Sequence, residues 1–281
     1  MSKTLSSVAK TEFDTEVKQA YQGSGKLRST VTIRTGVTGD TYKFRSMGKG
    51  YAKQRAAPSN DIVPMDVTHS MQTATLTNWY APEYTDIFDA AEVNFDEQRE
   101  LATVIASALG RREDFLIVDA IDDATSIAGT VSEDIGGTNS NLNSDKLRKA
   151  ARYLNEQGVP NSDRFVVHTA AQLEGLLGET ETTSSDFNTV KALVNGELST
   201  FVGFKFVMLE NRDEGDLPDE SSEQRAFAYH KMAVGHAVGL DIRQETNYIP
   251  EKVSWLSNGI LKCGSVARDA KGIVEIECIE S

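Results

Sequence analysis

The sequence predicts an α+β fold, and three observations carry that reading. One apolar stripe of helical period fills residues 94–124. Period-two alternation, the mark of half-buried strands, appears ahead of it and again at the C-terminus. Between them lies a helix, strand, helix series of the kind that builds a mixed α/β layer.

The 281 residues suffice for one large domain or two ordinary ones. A formal net charge of −13 argues against gripping a nucleic-acid duplex with the whole surface, because such binding replaces counterions with Lys and Arg. Cys263 and Cys278 are too few for a disulfide framework and too far apart for a metal knuckle, so they read as free thiols in a reducing compartment. The N-terminus lacks the apolar core of a signal peptide, and no apolar run reaches the length of a membrane span.

Residues 1–25 read as an arm. Phe13, Val17 and Tyr21 make one thin stripe on a short helix that cannot build its own core. Gly25-Lys26 fails as a phosphate loop, since Ala20 stands where a glycine is needed and Leu27 where Ser or Thr is. Val31, Ile33 and Thr35 then alternate with polar neighbours. Tyr42 and Phe44 do so again after a turn at residues 36–40, which predicts a β-hairpin with one apolar face.

Residues 46–78 are poor in large apolar side chains, with a polar tip at residues 58–61 and a threonine-rich return at 66–78. The outgoing limb, residues 41–60, carries Lys43, Arg45, Lys49, Lys53 and Arg55 and no acid. A two-stranded excursion without a core is marginal alone, so something outside its own subunit should stabilise it. The odd numbering of the five bases would place them on one face of an unbroken strand, unless Gly48 and Gly50 add a bulge.

In the long helix Asn94 and Glu97 can form a capping box. Leu101, Val104, Ile105, Ala108 and Leu109 set the stripe, and Phe115, Leu116, Ala120 and Ile121 resume it after a break at Gly110-Arg111-Arg112, where a bend is expected. Residues 129–143 read as a boundary loop. Ser144 opens a second helix with Leu147, Ala150, Ala151 and Leu154 inward, ended by Gly158 and Pro160. Residues 164–168 form a short buried strand, and Thr169 with Gln172 caps the next helix, which stops at Gly178.

Residues 179–189 are loop-like, and 198–209 give two β-like runs split by Gly203. Residues 210–224 hold a crowd of carboxylates around Arg212. They lack the register of a calcium loop and read as a solvated mobile loop. Strands follow at 227–230, 240–248 and 272–279, with a helical turn or two at 232–238 and Cys263 at a strand end.

The histidines, His69, His168, His230 and His236, form no zinc-ligand pair, and His168 reads as a satisfied structural histidine. No nucleophile elbow or dinucleotide loop is present. No catalytic residue, cofactor or metal is expected.

The order of these elements resembles the major capsid protein of tailed bacteriophages, the Hong Kong 97-type fold. The stretches that carry the likeness are KLRKAARYLNEQGVPNSDRFVVHTAAQLEGLL, FVGFKFVML, AFAYHKMAVGHAVGLDI and CGSVARDAKGIVEIEC. The resemblance implies an N-terminal arm at 1–25 and a peripheral (P) domain from 26–43 and 79–135 that contains the spine helix. It further implies an extended E-loop hairpin at 44–78, a mixed α/β axial (A) domain at 136–262, and closing strands at 263–281 of either domain.

It also implies pentamers and hexamers in an icosahedral phage head, assembled in the host cytoplasm and enclosing double-stranded DNA without sequence-specific binding. The E-loop would lie over a neighbouring subunit, making Lys43, Arg45, Lys49, Lys53 and Arg55 intersubunit contacts. A portal protein belongs to such a head. A separate scaffolding protein is implied because no long coiled-coil extension is present, and a decoration protein is left open. The crosslinking lysine and asparagine of the type member have no assignable counterpart. The alternatives are an encapsulin-type compartment with the same fold, or a soluble α/β enzyme or binding protein.

Overall fold

A computed structural model describes residues 23–55, 61–88, 97–178, 200–212, 214, 216–220 and 223–280. The expected arm helix through Phe13, Val17 and Tyr21, the Asn94 cap, the hairpin tip at 58–60 and the loop at 179–189 lie outside these residues.

The strands are β1 (Thr32–Thr35), β2 (Thr41–Met47), β3 (His69–Thr75), β4 (Thr77–Asp86), β5 (Gly129–Val131), β6 (Arg164–His168), β7 (Phe204–Met208), β8 (Asp219–Glu220), β9 (Glu223–His230), β10 (Val234–Ile249), β11 (Ser254–Ala267) and β12 (Ile273–Ile279). The α-helices are α1 (Glu97–Asp122), α2 (Ser144–Glu156) and α3 (Ala170–Gly178). A 4-stranded sheet has the order β1-β10-β11-β4, and a second sheet runs β5-β12-β9-β6-β7 with β8 added at β9. The pair β2-β3 stands apart from both.

Helix α1 joins the two sheets because its apolar face is long enough to serve two cores. Its 26 residues span about 39 Å at the α-helical rise. Ile105 and Leu109 pack on Val238, Leu261 and Cys263 of the 4-stranded sheet. Ile117, Val118 and Ile121, two turns on, pack with Leu27, Val31, Phe227, Tyr229 and Ile273. A third core lies under α2, where Leu147, Ala150 and Leu154 meet Val166, Ala226, Ala228, Val274 and Ile276.

Several local signals act as read. Ser144 opens α2 as read, and Asn143, whose capping role was not read from the sequence, accepts from Lys146 N at 2.8 Å. The Thr169–Gln172 box closes both ways, with Thr169 N donating to Gln172 Oε1 at 3.0 Å and Gln172 N donating to Thr169 Oγ1 at 3.2 Å. Buried His168 is satisfied through Nδ1, 2.8 Å from Thr169 O.

Other expectations are overturned. β1 and β2 do not form a hairpin: β1 lies parallel to β10, and β2 pairs antiparallel with β3. Gly36 and Gly39 take positive φ and carry the chain from one sheet to the other. Apart from these, α1 is one continuous helix through Gly110-Arg111-Arg112, the place of the expected bend. Gly110 there admits the incoming chain, since a Cβ on it would lie 2.8 Å from Gly25 N. The boundary loop begins as a strand, β5, parallel to β12. The turn after β9 is a short 3-10 helix, Lys231–Ala233, beyond which the chain is already β10. Strands β4 and β11 were not foreseen as strands, and Cys263 lies within β11 rather than at its end.

Candidate assembly surface

The paired strands β2 and β3 run in register from Thr41↔Thr75 to Met47↔His69, and their apolar seat lies near the root. There Phe44 is buried with Ala74, Leu76 and Ala237. Gly235 makes the seat, because a Cβ on it would meet the Phe44 ring at 2.8 Å. Tyr42 packs edge-on against Phe44 with ring centroids 4.8 Å apart.

Beyond Met47 the described chain leaves the sheet and the apolar side chains face outward. Tyr51 is 76% exposed, Ile62 93%, Val63 62% and Met65 55%. Isolated exposed apolar residues are ordinary, but a run of them on one excursion marks a surface that expects a partner.

All five bases are exposed. Lys43 and Arg45 share the outer face of β2, on either side of inward Phe44. Lys49, Lys53 and Arg55 lie past the end of the strand, so a single five-residue strand face does not form. Gly48 and Gly50 end the alternation. Lys49 Nζ donates to Gln157 O at 3.3 Å and Lys53 Nζ to Pro64 O at 2.9 Å. Among the described residues no carboxylate pairs with any of the five, although the chain has 42 acids against 29 bases.

The end of the chain opposite the hairpin is also dressed for contact. β3 passes into β4 through Leu76 alone, with no turn or bend, so the His69 end of β3 and the Asp86 end of β4 point opposite ways. At that distal end Tyr84, Phe88, Tyr248 and Trp255 are each more than a third exposed, with exposed Glu83, Glu245 and Glu251 around them.

A buried polar junction holds the incoming N-terminal segment on α1. Asp114, fully buried, accepts from Lys26 N at 2.9 Å, from Leu27 N at 2.8 Å and from Arg212 Nη1 at 3.0 Å. Burial pushes its carboxyl up, against the pull of those donors. Arg212 also pairs with Glu210 at 2.7 Å, and Lys26 Nζ reaches Glu210 at 2.7 Å. Burial raises the Glu210 carboxyl, but Lys26 and Arg212 outweigh it and hold it at about 2. The acidic loop is therefore pinned at its start: Arg212 is an anchor into the core and Leu217 is buried.

One turn face away, Glu113 Oε1 lies 2.8 Å from His236 Nε2, and His236 Nδ1 lies 2.8 Å from Ser265 Oγ. An acid, histidine and hydroxyl in a row invite a hydrolase reading. The imidazole is wholly buried, however, and offers no face to a substrate. The row ties α1, β10 and β11 together inside the core. Among the described residues no three His, Cys, Asp or Glu side chains are placed to hold a metal ion.

Neither buried acid was singled out from sequence. Their signal was faint: two consecutive acids in line with an apolar stripe, after two arginines.

The sequence model of a family described as phage capsid protein matches residues 5–280. Among solved structures, the capsid of the cyanophage P-SCSP1u is similar at a TM-score of 0.76 and 16% identity, covering 98% of this chain and 94% of that one. The acid-stable capsid of the Helicobacter pylori bacteriophage KHP30 aligns at 0.78 with 9% identity, covering 96% and 95%. The capsid of a native GTA particle aligns at 0.71 with 14% identity, covering 97% and 96%. At these identities the likeness is one of fold. No curated protein sequence matches the chain.

Proposed function

This chain belongs to the phage capsid protein family, and from that premise we propose how it acts as the major capsid protein of an icosahedral phage head. Its fold is the Hong Kong 97-type capsid fold. The proposal is that subunits close into rings of five and six, with the β2–β3 excursion of each lying over its neighbour as an E-loop. One observation carries this: among the described residues the excursion exposes Tyr51, Ile62, Val63 and Met65 beside bases that pair with no carboxylate, and its apolar seat on its own chain is the cluster around Phe44.

In the same reading the 4-stranded sheet with α1 is the peripheral domain. That draws residues 234–262 into it, and leaves the axial domain the sheet around β9 with α2 and α3. A separate scaffolding protein guides closure, a portal protein occupies one vertex, and assembly takes place in the host cytoplasm. The family likeness supports these partners. The chain's task in the shell is structural, and the contents are double-stranded DNA held without sequence reading, in keeping with a charge of −13.

Negative-stain microscopy and size-exclusion chromatography of the chain expressed with its scaffolding protein test the reading. Closed shells are expected. A stable monomer at working concentration would overturn it.

A further inference from the structure

Four bases from three separate parts of the chain converge on one cleft. Arg34 of β1, Lys43 and Arg45 of β2, and Arg268 just past β11 line a space of about 430 Å³ with Thr32 and Tyr42. No acid lines it. Arg268 Nη2 donates to the backbone carbonyl of Arg45 at 3.0 Å, and no described carboxylate pairs with any of the four. Residues 42–45 border the cleft consecutively, so β2 meets it along the edge that has no strand partner.

Like charges gathered in this way repel one another, and only solvent or a counter-charge relieves them. Guanidinium groups match carboxylates in two parallel hydrogen bonds, and three of the four bases are arginines. A half-enclosed cleft of one sign also concentrates its field on an incoming anionic group.

We propose that this cleft is a binding site for carboxylate side chains on an extended acidic segment of a second copy of the chain. The inference rests on the shell reading, in which copies of a subunit with 42 acids press together. A nucleic-acid phosphate is the poorer occupant, because the −13 charge of the whole subunit repels a duplex. A neighbour's carboxylates are supplied at fixed positions by the packing itself.

Zero-length carbodiimide coupling tests this, since it joins a lysine to a carboxylate only in direct contact. Shells assembled from mixed isotope-labelled and unlabelled subunits would be coupled and their peptides mapped. An isopeptide link from Lys43 to an Asp or Glu of another chain is expected, and it should fall at least about tenfold in Arg34→Gln/Arg268→Gln shells, a loss on the order of 1.4 kcal/mol in contact occupancy. Intact wild-type shells in which Lys43 stays unlinked, or links only within its own chain, would overturn the cleft while leaving the shell reading in place. So would a link seen only after nuclease treatment, which would mark a phosphate as the occupant. Failure to form shells at all would instead sink the shell reading and this inference with it.

Discussion

Asp114 shows how much one buried carboxylate can organise. It holds two consecutive backbone N–H groups of the N-terminal segment and the side chain of Arg212, which is 98 positions away. Removing it would take the acceptor from the Lys26 and Leu27 N–H groups and one of two acids from an Arg212 side chain only 3% exposed, and breaking a buried pair from one side costs about 3–5 kcal/mol. Asp114→Ala should therefore destabilise the unassembled subunit by that amount in urea denaturation, and a loss under about 1 kcal/mol would mean the junction is wet. The cysteines make a second case. Burial pushes the Cys263 and Cys278 thiols up to about 12, far above neutral pH, so the reactive thiolate is scarce as well as shielded. Native protein at neutral pH should resist alkylation, and denatured, unreduced protein should take up two labels per chain. Prompt labelling of the native protein would contradict the packing of β11 and β12.

Among the elements, the β2–β3 pair depends on its root more than on its length. Its one large buried side chain is Phe44, in a cluster separate from the two that α1 covers. Phe44→Ala should cost about 3–5 kcal/mol locally, the range for emptying an aromatic site. In hydrogen exchange the β2 and β3 amides should lose protection while those of α1 keep theirs. Equal loss in both would show that the pair and the helix unfold as one unit. The same pair marks where sequence reading runs out. Alternation at Val31–Thr35 and Tyr42–Phe44 is correct for strands, but a period of two says nothing about partners, so neighbours in sequence were joined when β10 and β3 take those places. Strand β11 escaped notice because its inward positions include Ser257 and Gly259, the latter kept small where Ile105 and Leu109 of α1 press down. Signals confined to a few residues fared better: the Thr169–Gln172 box, the Asn143 boundary and the strand at 164–168 all stand where expected. Of the surface, the basic limb was legible as composition. The cleft with Arg34 and Arg268 was not, since only the fold brings them to Lys43.

At the scale of the molecule, two contact-ready ends point in opposite directions along one extended run, and in the proposed shell this would set the form of assembly. A basic, apolar hairpin at one end and an aromatic, acid-rimmed sheet edge at the other cannot meet within a chain. Joined between chains they form a heterologous contact, which closes into rings when the rotation allows. The hairpin end carries Lys49, Lys53 and Arg55 beside Asp61 and Asp66, and the far edge carries Glu83 and Glu251 beside an Arg243–Glu245 pair and Lys252, so acids are on offer there to the three bases. Each exposed pair is worth at most about 1 kcal/mol, so charge here chiefly steers docking and fixes register. Yet a closed shell repeats the contact in every subunit, and small terms add. Lys49→Glu, Lys53→Glu and Arg55→Glu together should leave the fold intact, because these side chains are exposed and touch no core. Circular dichroism of the unassembled subunit should be unchanged. Shell yield by sedimentation should fall, most at low salt, where the screening length is longest, and should recover in part near 1 M salt, where it shrinks to about 3 Å. The exposed Tyr51, Ile62, Val63 and Met65 supply attraction that salt does not screen, which is why recovery rather than permanent loss is expected. Normal assembly of the triple variant at low salt would show that the distal bases only solvate the hairpin, and would leave the docking to its apolar side chains alone.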